Sequence, residues 1–185
     1  DSEALFLHDS LSDFYQDEAL VLTADSMGDE GTARLTGIET IKAGGGDDLI
    51  DMTSSDYSYA IGLTAYGEAG NDTIWATKLS DTIYGGDGDD TIYGGQGNDT
   101  LFGGSGSDVF EFAYNSGNDV LTDFNLTEDS LLFYARKDFR GVNNDDGMEG
   151  VTLNAGVVRW EDVSIDISNT QITSLDELDI EFLYV

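Results

Sequence analysis

The sequence predicts an all-β chain: a parallel β-roll, or β-solenoid, of nine-residue repeats capped by β-rich segments at its N- and C-terminal ends. Three observations predict it. Gly clusters between Gly44 and Gly117, large apolar residues recur every nine positions across that zone, and Pro is absent from all 185 residues. Turns must then rest on Gly, Asn and Asp. Written in nines, Gly85–Tyr93, Gly94–Phe102 and Gly103–Glu111 all fit GGxGxDxUx, with U a large apolar residue. Gly67–Trp75 keeps most of the pattern. Ala76–Tyr84 keeps Asp81 and Ile83 but loses every Gly. Ala43–Asp51 is a further unit, and six extra residues, around Asp56–Ala60, break the register before Gly67 and are expected to bulge. Gly117–Leu121 reads as a last, shifted repeat.

The apolar position follows one ruler. Ile74, Ile83, Ile92, Leu101 and Phe110 are nine apart, as are Ile41 and Ile50. Helices want spacings of three and four, which this zone lacks. Each unit instead offers six turn-forming residues and a three-residue β-prone run such as Thr91-Ile92-Tyr93. On a strand the middle residue faces one side and its neighbours the other. Two units therefore make one coil, with U inward and two short parallel sheets.

The expected segments are 1–42, a cap of lead-in strands; 43–124, the roll; and 125–185, a second cap. Strand-like runs in the first are Ala4–Leu7, Leu20–Thr23 and Ala33–Leu35. The last holds Leu131–Tyr134, a polar loop Gly141–Gly150, a hairpin of Val151–Leu153 and Val157–Trp160 about Asn154-Ala155-Gly156, and an alternating run through Val163, Ile165 and Ile167. Ser174-Leu175-Asp176-Glu177 fits a capping box. Solenoids need such caps.

Charge excludes several function classes. With 38 Asp+Glu, 7 Lys+Arg and 1 His, the formal net charge is −31. Phosphate binding needs clustered Lys and Arg, so nucleic acid is excluded as a partner. No Cys is present, so thiolate sites and disulfides are absent. No apolar run approaches the ~20 residues of a membrane span, so membrane insertion is not expected. A composition with 39% hydrophobic and 11% aromatic residues argues for a folded chain.

Ordering a Gly-rich unit loses more backbone entropy than one buried U side chain returns. A bound cation supplies the missing term. Units 18 residues apart stack at a sheet spacing of about 4.7–4.9 Å. That aligns Asp72, Asp90 and Asp108 in one ladder and Asp81, Asp99 and Asp119 near another, with Asp48 in the unit before. A cation midway would lie roughly 2.4 Å from each layer, inside the range of about 2.3–2.6 Å for Ca²⁺–oxygen bonds. Gly67, Gly70, Gly85, Gly86, Gly88, Gly94, Gly95, Gly97, Gly103, Gly104, Gly106 and Gly117 let the turns aim carbonyls inward. Hard oxygen ligands favour calcium over zinc or copper, and magnesium holds its waters too firmly. Roughly six or seven ions are expected, offsetting about 12–14 charges. Ala76–Tyr84, with no Gly and with Lys78 in its turn, is expected to hold a weak site or none.

Over roughly residues 43–124 the tandem nonapeptide resembles the RTX (repeats-in-toxin) family. The resemblance implies calcium as cofactor, export by bacterial type I machinery through an uncleaved C-terminal signal, and folding only outside the cell. Gly106–Phe110 and Asp119–Phe124 resemble the family's exit from the roll, and Glu181–Val185 the acidic-then-apolar ending of such substrates. Leu35–Ile41 and Asp51–Ser55 resemble C-terminal segments of giant RTX adhesins. The reading is a secreted or cell-surface bacterial module, monomeric, with calcium and the secretion machinery as partners. It would be the C-terminal part of a larger protein, an adhesin first, since Asp1 is not a natural start. Two alternatives stand: a module binding a cell-surface, sugar or peptide ligand, or the carrier of a secreted hydrolase or epimerase.

Outward Trp75 and Tyr93 share one sheet, Tyr84 and Phe102 the other, and flanking segments are expected to cover them. They make the Thr73, Thr91, Thr82 and Thr100 ladders too rough for an ice-binding face. Lone His8 reads as a surface residue. No GxxxxGK[ST] or HExxH occurs, so the chain is read as no enzyme.

Overall fold

The structure, a computed structural model, describes residues 3–6, 19–21, 38–53, 61–135, 151–160 and 163–184. The Ala33–Leu35 run, His8, the Asp56–Ala60 insert and the Gly141–Gly150 loop lie outside these residues.

Two sheets face each other across one apolar core. The strands are β1 (Glu3–Phe6), β2 (Ala19–Val21), β3 (Ile38–Gly45), β4 (Leu49–Asp51), β5 (Thr64–Ala69), β6 (Thr73–Trp75), β7 (Thr82–Asp87), β8 (Thr91–Tyr93), β9 (Thr100–Ser105), β10 (Val109–Ala113), β11 (Asn118–Leu121), β12 (Ser130–Ala135), β13 (Thr152–Asn154), β14 (Val157–Trp160), β15 (Val163–Asp166) and β16 (Asp179–Tyr184). The nine-stranded sheet runs β1-β3-β5-β7-β9-β11-β15-β14-β13, and the seven-stranded sheet runs β16-β12-β10-β8-β6-β4-β2. From β3 to β12 the chain alternates between sheets and every pairing is parallel, the β-roll that the nonapeptide period predicts. No α-helix is present among the described residues.

The inward ladders follow the apolar ruler. Ile50, Ile74, Ile92, Phe110 and Leu131 are register partners in one sheet. Ile41, Ala65, Ile83, Leu101 and Leu121 are partners in the other. All are fully buried or within 1% of it. The repeat interrupted by extra residues keeps its register. Ile50 pairs with Ile74 and Ile41 with Ala65, a spacing of 24 rather than 18, so the six additional residues leave the ladder intact. At the other end Leu101 pairs with Leu121, a spacing of 20, which is the shifted repeat.

Parallel pairing continues past residue 124. β12 adds to β10, β16 to β12, and β15 to β11. The expected hairpin forms as β13 and β14, with Ala155 and Gly156 at φ 51° and 78°. Positive φ at both central residues is the tight two-residue turn that matches strand twist. The capping box forms at Ser174, opening a single 3₁₀ turn, Leu175–Glu177. The first strands start one residue before their expected places, at Glu3–Phe6 and Ala19–Val21, and the second is one residue shorter than expected.

The aromatic cluster at the C-terminal end joins roll to tail. Phe133 lies 5.6 Å from Phe112, 5.2 Å from Trp160 and 5.3 Å from Phe182, ring centre to ring centre. β16 thus carries Phe182 onto a core that the roll's last long strand began.

Candidate metal centre

At the sixth position of each repeat, two residues before the inward apolar residue, the chain must pass from turn to strand. The Asp there folds inward. Asp48, Asp72, Asp90 and Asp108 form one ladder along the roll, with Asp129 as its next rung; Asp81, Asp99 and Asp119 form the other. Each is no more than 5% exposed. The Oδ1 of Asp72, Asp90 and Asp108 accepts the backbone N–H of the preceding rung at 2.8, 2.8 and 2.9 Å. Asp81, Asp99 and Asp119 accept from Leu63, Asp81 and Asp99 at 2.8, 2.9 and 2.9 Å. The fifth position stitches the opposite way. Asp47, Asn71 and Asp89 accept the N–H of Asn71, Asp89 and Ser107 at 2.7–2.9 Å.

One oxygen remains. The Oδ2 atoms of Asp72, Asp90, Asp99 and Asp108 are buried and have no hydrogen-bond partner. Leaving a carboxylate oxygen dry and unpaired is strongly unfavourable. Burial, opposed by the backbone hydrogen bond and reinforced by neighbouring carboxylates, pushes Asp72 and Asp90 up to about 6, Asp108 to about 7 and Asp99 to about 8. Burial also lifts Asp119, to about 7. Such groups call for a cation.

The first glycine of each unit makes the cradle. A Cβ at Gly67 would stand 2.2 Å from Asp72 Oδ2 and 2.4 Å from the Gly85 carbonyl oxygen. At Gly85 the same point lies 2.2 Å from Asp90 Oδ2 and 2.6 Å from the Gly103 carbonyl oxygen. At Gly94 and Gly103 it would lie 2.4 and 2.2 Å from Asp99 and Asp108 Oδ2. A free carboxylate oxygen and a backbone carbonyl of the next layer thus share space that any side chain would fill. The second and fourth glycines are needed for a different reason. Gly86 and Gly88 sit at φ 129° and 134°, where L side chains are strained. Glu68 holds the second position of its unit at φ 80°.

Among the described residues no three His, Cys, Asp or Glu side chains converge on one point. The ladder offers one carboxylate per layer, and the remaining oxygens are main-chain. That donor set suits Ca²⁺, which readily takes carbonyl ligands.

Asp81 differs. Its Oδ2 accepts from the Thr77 N–H at 2.9 Å and the Thr77 hydroxyl at 2.7 Å. Thr77 occupies the second position of the unit that has no Gly. Two further residues escaped the sequence reading. Asp129 accepts from Asp108 N–H at 3.1 Å and from Asn125 N–H at 2.7 Å. Its signal is an Asp two residues before an inward apolar residue, Leu131, as at Asp48 and Ile50. Asp123 spans the Gly103 and Gly104 N–H groups at 2.9 and 3.1 Å. No period marks it.

Stacked carboxylates, glycine cradles and parallel coils define a calcium-binding β-roll. Comparison with family models agrees: the RTX calcium-binding nonapeptide repeat, in four copies, matches residues 35–51, 64–78 and 76–110. The matched stretches carry the RTX repeat, which supports a calcium-binding module. No curated protein matches it.

Proposed function

We propose that this chain is a calcium-dependent folding module of a secreted bacterial protein, an adhesin first, exported by type I machinery and folded outside the cell. Asp72, Asp90, Asp99 and Asp108 hold the ions, with Asp48 and Asp119 at the ladder ends. Asp81, already satisfied by Thr77, holds none or binds weakly. The observation that carries the reading is the buried, unpartnered Oδ2 in four of the repeats, those of Asp72, Asp90, Asp99 and Asp108. Each is a site where the fold is incomplete without a cation.

The segments keep separate roles in this reading. Residues 43–124 form the calcium-controlled roll, 1–42 lead into it, and 125–185 dock on its end. What supports the docking is the pairing of β12 with β10 and of β15 with β11. Until the roll exists, those strands have no template. Low calcium would then leave an expanded acidic chain, suited to passage through a secretion channel. Among the described residues no helix is long and apolar enough to cross a membrane.

Calcium titration tests the function. Far-UV dichroism and Trp160 fluorescence should change together and cooperatively, because Trp160 lies in the cluster that docks on the roll. A fully folded chain in chelator would refute the switch.

A further inference from the structure

We propose that the outer face of the seven-stranded sheet carries a second binding site, a recess for a small organic ammonium cation such as a trimethylammonium group. The recess measures about 290 Å³ and is lined by Thr53, Trp75, Tyr93, Glu111, Ala113 and Tyr134. Sheet register builds it. Trp75, Tyr93 and Glu111 are partners on β6, β8 and β10, and Ala113 partners Tyr134 on β12.

Glu111 takes the place that aromatic residues hold in the repeats before it. It is 9% exposed, and its Oε1 accepts the Tyr134 hydroxyl at 2.8 Å. Among the described residues the ion pair is Lys42–Glu68, on the other sheet. Glu111 is therefore a nearly buried carboxylate with no cation beside it in the described structure, walled by three aromatic rings. A negative charge among aromatic rings is the chemistry that selects ammonium groups.

A neutral polyol finds few unengaged polar groups in the recess apart from the second Glu111 oxygen. The Thr53 hydroxyl bonds Asp51 at 2.7 Å. Tyr134 bonds Glu111, and burial followed by that carboxylate pushes its phenol up to about 12, so it stays a donor. The Tyr93 hydroxyl bonds Ser116. The Trp75 Nε1–H is buried out of reach, which leaves ring surface as what Trp75 offers. An ammonium group needs only charge and rings.

This site requires the folded roll but not the secretion role, so calcium-loaded protein with a folded dichroism spectrum is the sample. Choline is titrated by calorimetry at constant ionic strength, beside the isosteric alcohol in which carbon replaces nitrogen. Choline carries no carboxylate and so does not strip calcium. Saturable choline binding is expected, at least about tenfold weaker for the alcohol, and weakened about tenfold by Glu111→Gln. Ala113→Phe, which fills the recess from a half-buried position, should abolish it. Equal binding of choline and the alcohol, no choline binding, glucose bound in its place, or affinity unchanged in both folded variants overturns the proposal.

Discussion

Asp90 is held at two points and open at a third. Its Oδ1 takes the Asp72 N–H, its own N–H goes to Asp108, and its Oδ2 meets nothing. Asp90→Asn keeps the ladder acceptor and removes the charge. It should raise the calcium midpoint about tenfold or more, a loss of ~1.4 kcal/mol at one site. Asp81→Asn should move the midpoint far less, because Thr77 already occupies its second oxygen. Equal effects from the two variants would contradict the assignment. Gly85→Ala places a methyl group against Asp90 Oδ2 and the Gly103 carbonyl. Loss of more than about 2 kcal/mol in urea unfolding of the calcium form is expected. At this scale the Asp ladder was legible because period alone aligns Asp72, Asp90 and Asp108. The Thr77 cap was not. Only the coil's curvature brings a second-position hydroxyl back to a sixth-position carboxylate.

A single coil of the roll has little to hold it but its neighbours. On the nine-stranded sheet the outward rings of Tyr66, Tyr84 and Phe102 stack at 4.8 and 4.4 Å, so the aromatics cover one another. β5 was missed in the sequence because small Ala65 takes the inward place and Leu63 replaces the Asp before it. The hairpin at Ala155-Gly156 and the Ser174 cap were readable because each rests on local turn chemistry. The pairing of β16 with β12 was not, since nothing local distinguishes a parallel partner from any other apolar run. That pairing has a consequence. Phe133 is fully buried between roll and tail. Phe133→Ala should cost about 3–5 kcal/mol and uncouple the tail. Trp160 fluorescence should then lag the dichroism change during calcium titration, and coincident curves would argue against a templated tail.

The whole molecule carries a net charge of −31, and its buried share sets the pH response. Asp72, Asp90, Asp99, Asp108 and Asp119 are raised to between about 6 and 8 in the metal-free fold. A group whose folded value lies above its unfolded value stabilises the fold below the unfolded value, near 3.8 here, and loses that contribution as pH rises through the folded one. Calcium-stripped protein should therefore melt highest in acid and lose stability steadily from about pH 4 to 8, levelling off above the highest folded value. Melting temperatures that rise across that window would contradict the buried-ladder account. Calcium at neutral pH does what protons do in acid: it neutralises the ladder and lets the coils stack. Anomalous diffraction from crystals grown in calcium tests this most directly. Peaks are predicted within bonding distance of Oδ2 of Asp72, Asp90, Asp99 and Asp108, with none at Oδ2 of Asp81. A folded roll whose four free oxygens lie beside no calcium peak would contradict the central claim.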